Sequence, residues 1–178
     1  IDVLQKITRA EPAGIAPWKT LADVATLSER YDIALAAAQQ VVDLASSDPA
    51  PLVRAAQIAL GAKKLDEAAS RATQALDLES GNPRAIAGAH TVLALVALAR
   101  YDAETALSEA LAARAAQPES VVPLFVNARL LVDEGNDAEA LAVLSKANAG
   151  LEKSTAAMLP QVRSLTGDVL VRLDRAAE

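Results

Sequence analysis

The amino-acid sequence repeats itself at an interval of about 34 residues. Pro49, Pro83 and Pro118 are 34 and 35 residues apart, and a shift of 34 residues also places residues 31–34 on residues 65–68. Recurrence over this distance is typical of a solenoid, in which short units stack and bury their apolar faces against each other. The alternative is an Ala-rich helical bundle, which shows helical periodicity but does not require this longer recurrence.

The composition indicates that the repeated units are helical. Apolar residue types make up 52% of the 178 residues and aromatic types only 2%, and the strong helix formers Ala and Leu are abundant. Turn residues interrupt the helical segments at 47–49, 81–83 and 135–137. Asp48 and Asn82 each stand directly before a Pro, a favourable N-cap followed by Pro in the first helical turn. The sequence therefore predicts an all-α protein.

Large and small residues recur at fixed positions within each unit. Counted from Ile15, the first unit has Trp-Lys-Thr-Leu-Ala at positions 4–8, and later units begin at Pro49, Pro83 and near Val121. The second unit matches at Leu52, Ala55, Ala56, Ala68, Ala72 and Ala75, and the fourth at Leu124, Ala128, Leu131, Ala140, Leu144 and Ala147. This pattern resembles the tetratricopeptide repeat, a pair of antiparallel helices that cross closely at small residues. In the third unit, His90 falls at the small position 8, and we expect a one-residue insertion to move positions 20 and 27 to Ala103 and Ala110.

The resemblance implies a right-handed superhelical solenoid of antiparallel helix pairs, with about four full units and a half-unit at each end. The predicted units are 15–48, 49–82, 83–117 and 118–154, preceded by a second-helix remnant at 1–14 and followed by a first helix at 155–178. All six segments form one continuous domain. Because both ends fall inside a unit, we expect the chain to be a fragment of a longer protein. Its use of Ala, and of Arg over Lys, favours a bacterial source.

The resemblance also implies a ligand site, because the first helices of such units line a concave groove through positions 2, 5, 9 and 12. The candidate groove residues are Lys19, Asp23, Val53, Gln57, Leu60, Arg84, Thr91, Phe125, Arg129, Val132, Gln161 and Asp168. Phe125 is the expected anchor because aromatic residues are scarce, although it could equally pack against the next unit. Arg84 and Arg129 could bind a carboxylate, although an exposed Arg is more often only solvated. Relatives that hold chaperone tails use a clamp of Lys and Asn, and Asp23 and Gly88 depart from that clamp.

Charge and residue types argue against several other functions. The net charge of −6 and the scattered basic residues argue against nucleic-acid and anionic-membrane binding. The longest uncharged stretch, 85–99, would span roughly 22 Å as a helix, less than a bilayer core of about 30 Å. There is no Cys, the one His is expected to be a hydrogen-bonded interior residue, and no phosphate loop or nucleophile motif occurs. We therefore expect no catalytic, cofactor or metal site.

Three hypotheses for the function follow. The first is a non-enzymatic scaffold that binds a protein or peptide in its concave groove. The second is the helical tail of a larger enzyme whose catalytic domain lies outside this segment. The third is a module that self-associates end to end through the open ends of the solenoid.

Overall fold

The computed structural model describes residues 1–78, 81–151 and 159–173, and within these ranges it contains ten α-helices and no β-strand. The helices are α1 (Asp2–Ala10), α2 (Ile15–Leu27), α3 (Tyr31–Leu44), α4 (Pro49–Gly61), α5 (Leu65–Asp77), α6 (Pro83–Ala99), α7 (Ala103–Ala116), α8 (Val122–Asp133), α9 (Asp137–Leu151) and α10 (Leu159–Arg172). None of these helices is both long enough and apolar enough to cross a membrane. The predicted all-α architecture is confirmed.

Turns of three residues join the helices in pairs, α2 to α3, α4 to α5, α6 to α7 and α8 to α9. Connections this short make the two helices of a pair run antiparallel and pack against each other. The helices α2, α4 and α6 begin at the predicted first residues of three units. The division into units stays a prediction, and the predicted boundary between 154 and 155 lies outside the described residues.

Side-chain caps fix where several helices begin. The Asp48 carboxylate accepts a hydrogen bond from the backbone N of Ala50 at 3.0 Å, directly before the Pro that starts α4. Asn82 caps α6 in the same way through the backbone N–H groups of Arg84 and Ala85, so both predicted caps are confirmed. Asp102 caps α7, and the hydrogen bonds that Thr105 donates hold the pKa of its carboxyl below the ordinary value.

A left-handed residue sits in each three-residue turn and marks the register of each pair. These residues are Glu29, Lys63, Tyr101 and Gly135, with φ of 55°, 60°, 61° and 81°. Seven residues before them stand Ala22, Ala56, Ala94 and Ala128, which are at most 2% exposed, and five residues after them stand Ala34, Ala68, Ala106 and Ala140, all 0% exposed. Because Ala carries only a methyl group, the two helices of each pair can approach closely at these points.

The predicted one-residue insertion in the third unit is wrong. Helix α6 has 17 residues against 13 in α4, so it is longer by four residues, about one helical turn. Counted from the turn residues Tyr101 and Lys63, Ala106 and Ala113 of α7 correspond to Ala68 and Ala75 of α5, and both α7 residues are 0% exposed. Ala110, which was expected at position 27, is also 0% exposed but corresponds to Ala72. Ala103, which was expected at position 20, is exposed.

The extra turn also relocates His90. Ala94, not His90, lies at the close crossing with α7, and His90 lies one turn earlier in α6. Its Nδ1 lies 2.7 Å from Oε2 of Glu109 on α7, and both side chains are about three-quarters buried. The expected hydrogen bond of this His is therefore present.

Helix α6 joins two apolar cores. Ala85, Ala89, Val92 and Val96 pack into the core of the N-terminal half, together with side chains of α2 to α5. Ala94 and Ala97 of the same helix pack into the core that continues through α7, α8, α9 and α10. The longest helix thus belongs to both halves and holds them together.

A polar cluster connects the second helices α3 and α5. Arg71 donates two hydrogen bonds to Glu67 at 2.9 and 3.1 Å and one to Gln39 of α3 at 2.8 Å. Burial by itself raises the pKa of the Glu67 carboxyl, but the hydrogen bonds and charges of Arg71 and Lys64 outweigh it and hold the pKa below its ordinary value.

We expect Tyr101→Gly and Gly135→Ala to change the free energy of unfolding in opposite directions, each by about 1 kcal/mol. Both residues have positive φ, which favours glycine. The Tyr101 side chain is 87% exposed, so little packing is lost, and a Cβ at Gly135 would meet no atom within 4 Å. Urea unfolding followed by circular dichroism measures both changes. A shift of the same sign for the two variants would contradict the backbone interpretation.

We expect Glu67→Gln to lower the stability near neutral pH and to lose this effect in acid. A carboxyl whose folded pKa is depressed stabilises the fold above its unfolded pKa, about 4.3 for Glu, and the contribution disappears as the pH falls through the lower folded pKa. Unfolding curves between pH 7 and pH 3 measure the difference from the unsubstituted chain. Glu119→Gln is the control, because Glu119 is exposed in the loop before α8. A difference that stayed constant with pH would contradict the assignment.

Candidate functional site

The first helices of the predicted units line an open groove of about 840 Å³. The helices α4 and α6 form most of it, and the loop between α7 and α8, the start of α8 and the start of α10 complete it. A smaller cavity of about 230 Å³ adjoins it between α2, α3 and α4, and the two share Ala50 and Arg54. Together they form one surface along the first helices of the predicted units.

The structure brings eight of the twelve predicted residues to this surface. Val53, Gln57, Leu60, Arg84, Thr91 and Gln161 line the large groove, and Lys19 and Asp23 line the smaller cavity. The other four do not line either cavity. Phe125 and Val132 are buried in the C-terminal core at 8% and 6% exposure, and Arg129 and Asp168 are exposed on α8 and α10.

Two of the predicted charged residues already have partners. Asp23 Oδ1 accepts hydrogen bonds from Nη2 and Nε of Arg54 at 2.7 and 3.0 Å, which connects α2 to α4. Arg129 pairs with Asp133 one turn later on α8, with Nη2 and Oδ1 3.0 Å apart. The side chains of Lys19 and Arg84 are exposed and have no hydrogen bond or ion pair with another described residue.

Gly88 sets the distance between α4 and α6 at the floor of the groove. A Cβ at this position would lie 2.8 Å from Cγ1 of Val53, closer than a real Cβ approaches another carbon. Because Gly88 has no side chain, the backbone of α6 can pack directly against Val53. A Gly in a helix interior lowers the stability of the helix by about 1 kcal/mol relative to Ala. At residue 88 this loss is the consequence of having no side chain where the two helices approach closely.

The sequence pattern missed several residues of the groove. Counted from Tyr101, Gly88, Thr91 and Leu95 of α6 stand where Ala50, Val53 and Gln57 of α4 stand before Lys63. A register counted from the first residue of α6 is wrong by one turn and so omits Gly88 and Leu95. Gln117 and Ser120 also line the groove, but they lie in a loop, for which a helical repeat gives no position. The greater length of α6 is the signal that would have identified Gly88 and Leu95 as groove residues.

The lining combines an apolar floor with amide and cationic groups. Val53, Val92 and Leu95 supply apolar surface, and the amides of Gln57, Gln117 and Gln161 stand around it without a partner among the described residues. The hydroxyl of Thr91 donates to the Ala87 carbonyl at 2.7 Å. Nowhere in residues 1–78, 81–151 and 159–173 do three acidic or His side chains come together as a metal ion would need.

Comparison with solved structures identifies the fold. TTC0263, a thermophilic TPR protein in Thermus thermophilus, matches with a TM-score of 0.71 at 22% identity, over 91% of this chain and 84% of that one. MamA matches with a TM-score of 0.63 at 16% identity, over 84% and 85%. YrrB, a TPR protein with an unusual peptide-binding site, matches with a TM-score of 0.55 at 17% identity, over 97% and 84%. No family model matches the chain, and no curated protein matches its sequence. The chain therefore has the tetratricopeptide-repeat fold, as the repeat pattern predicted.

We expect Gly88→Ala to lower the free energy of unfolding by about 1–3 kcal/mol, because the new methyl group overpacks the floor of the groove against the stiff Val53 side chain. In a Val53→Ala background the same substitution should be neutral or stabilising by up to about 1 kcal/mol, since Ala is the better helix former. Urea unfolding of the four chains of this double-mutant cycle gives both values. Equal effects in the two backgrounds would contradict the contact between Gly88 and Val53.

Proposed function

We propose that this chain is a non-catalytic scaffold that binds a peptide or protein segment in the groove along α2, α4 and α6. The observation that carries the proposal is the open groove of about 840 Å³, with apolar residues on its floor and amide and guanidinium groups around it. Recognition of a segment in a groove depends on this combination, since apolar anchors supply affinity and a few polar contacts fix orientation.

The hydroxyl groups of the groove favour binding over catalysis. The Thr91 hydroxyl is hydrogen-bonded to the backbone within α6, and the Ser120 hydroxyl accepts from the backbone N of Val122 at 3.3 Å. A nucleophilic hydroxyl needs a base within hydrogen-bond reach, and among the described residues neither of these two has one. The single His pairs with Glu109 and does not line the groove.

The fold neighbours support the same proposal. YrrB is described as a TPR protein with a peptide-binding site, and the match covers nearly all of this chain. In this chain, the close approach at Gly88 and the extra turn of α6 shape the groove. We therefore place the ligand between α4 and α6 rather than at Phe125, whose side chain is largely buried.

We expect Gln57→Trp to prevent partner binding, because an indole at this exposed groove position would fill the space that a ligand needs. Gln40→Trp is the matched control, since Gln40 is exposed on the second helix α3 and does not line the groove. Quantitative mass spectrometry of proteins recovered from the native extract compares the two variants with the unsubstituted chain. Loss of the same proteins with Gln57→Trp but not with Gln40→Trp supports the groove. Equal recovery by all three chains would show that partners bind elsewhere.

A further inference from the structure

The charge of the groove is opposite to that of the chain. The whole chain has a net charge of −6, with 23 acidic and 17 basic residues. The described lining of the groove and its adjoining cavity contains Lys19, Arg54 and Arg84, and Asp23 is its one carboxylate. Because Asp23 is paired with Arg54, the cationic groups of Lys19 and Arg84 remain uncompensated by any described residue. This surface therefore attracts an anionic ligand in a protein that otherwise repels one.

The backbone of Arg84 lies in the first turn of α6, which Asn82 caps. Asn82 accepts hydrogen bonds from the backbone N–H groups of Arg84 and Ala85 at 3.1 and 3.3 Å, which fixes the first turn of the helix. The guanidinium group has five donors in a planar fork that matches a carboxylate. Its position in the first turn of a 17-residue helix adds a further preference for negative charge, since the N-terminal end of a helix dipole is positive.

The amide side chains nearby suit a peptide rather than a small anion. Gln57 lies on α4, Gln117 in the loop before α8 and Gln161 on α10, so they surround the apolar floor from three elements. Each amide can donate and accept at once, as the N–H and C=O groups of an extended backbone require. An inorganic anion would leave the apolar floor and these amides unused.

We propose that the ligand of the groove is an acidic peptide segment, with a side-chain carboxylate bound by Arg84 and apolar side chains placed on Val53 and Leu95. This inference rests on the proposed function. Lys19 and Arg84 lie in two adjoining cavities, so a single C-terminal carboxylate would not pair with both. Two carboxylates spaced along a peptide segment could each pair with one of these cations. The partner class is therefore a protein with an acidic, partly apolar internal segment.

Selection from a phage-displayed library of random 12-residue peptides tests the inference. We expect the selected peptides to be enriched in Asp and Glu beside aliphatic residues. For the strongest synthetic peptide, replacing its carboxylates by amides should weaken binding about tenfold or more in fluorescence anisotropy, as for loss of a charge-assisted hydrogen bond. Amidating its C-terminus should change little. Selection without acidic enrichment, or dependence on the C-terminus alone, would overturn the inference.

Two protein variants locate the carboxylate. Arg84→Gln should weaken binding of the same peptide about tenfold or more. Arg114→Gln is the matched control, because it removes the same charge from an exposed position on α7 that does not line the groove, and it should change the Kd less than twofold. Equal effects of the two variants would overturn the role of Arg84. A single-stranded oligonucleotide that bound more tightly than the selected peptide, and depended on Arg84, would assign the surface to nucleic acid instead.

Failure of this inference is distinguishable from failure of the proposed function. Peptides that lose binding with Gln57→Trp but not with carboxylate removal would leave the groove as the binding site and overturn only the acidic ligand. If no peptide is selected, or if every selected peptide binds the Gln57→Trp chain equally well, both the proposed function and this inference are wrong.

Discussion

The structure depends on a close approach of two helices at Ala residues that recur in every pair. Ala22 and Ala34, or Ala56 and Ala68, stand at the same distances from a left-handed turn residue, and all four are at most 2% exposed. A larger side chain at such a crossing would separate the helices, and every later pair would then be displaced. Because each unit buries little apolar surface alone, the stacking of such pairs supplies most of the core. The high Ala content therefore reflects the need for small side chains at the helix crossings as well as the helix propensity of Ala.

The turn residue, more than the helix start, determines which side chains reach the groove. Once the crossing is fixed relative to the turn, any added residues must extend the helix away from it. In α6 the four added residues extend the N-terminal end by about 6 Å, and this end carries Arg84 to the rim of the groove. The same displacement moves His90 away from the crossing and allows it to pair with Glu109. The added turn of α6 thus explains both why His90 lies outside the close crossing and why Arg84 lines the groove.

The sequence predicted the helical class, the caps at Asp48 and Asn82, and most of the small residues at the crossings, because each depends on local patterns. It did not predict the length of α6, since a register counted from the first residue of each unit assumes that all first helices have the same length. It also gave Gly88 only as a departure from a known clamp, because contact with Val53 depends on two helices that are distant in sequence. Eight of the predicted groove residues line the groove or its adjoining cavity because helical periodicity places them on the same face of their helices. Phe125 instead packs into the C-terminal core, and the position of a residue within its repeat does not predict such contacts between helices.

The ion pair between Asp23 and Arg54 decides which cation of the groove is available to a ligand. A carboxylate that bound Arg54 would have to displace Asp23, and it would exchange one exposed ion pair, worth about 0–1 kcal/mol, for another of similar value. At Arg84 no described carboxylate has to be displaced, so a new pair adds to the binding free energy. Asp23 therefore acts as an internal competitor for Arg54, and the same ion pair connects α2 to α4. In the proposed complex, carboxylate binding therefore depends on Arg84, and on Lys19 in the adjoining cavity, rather than on Arg54.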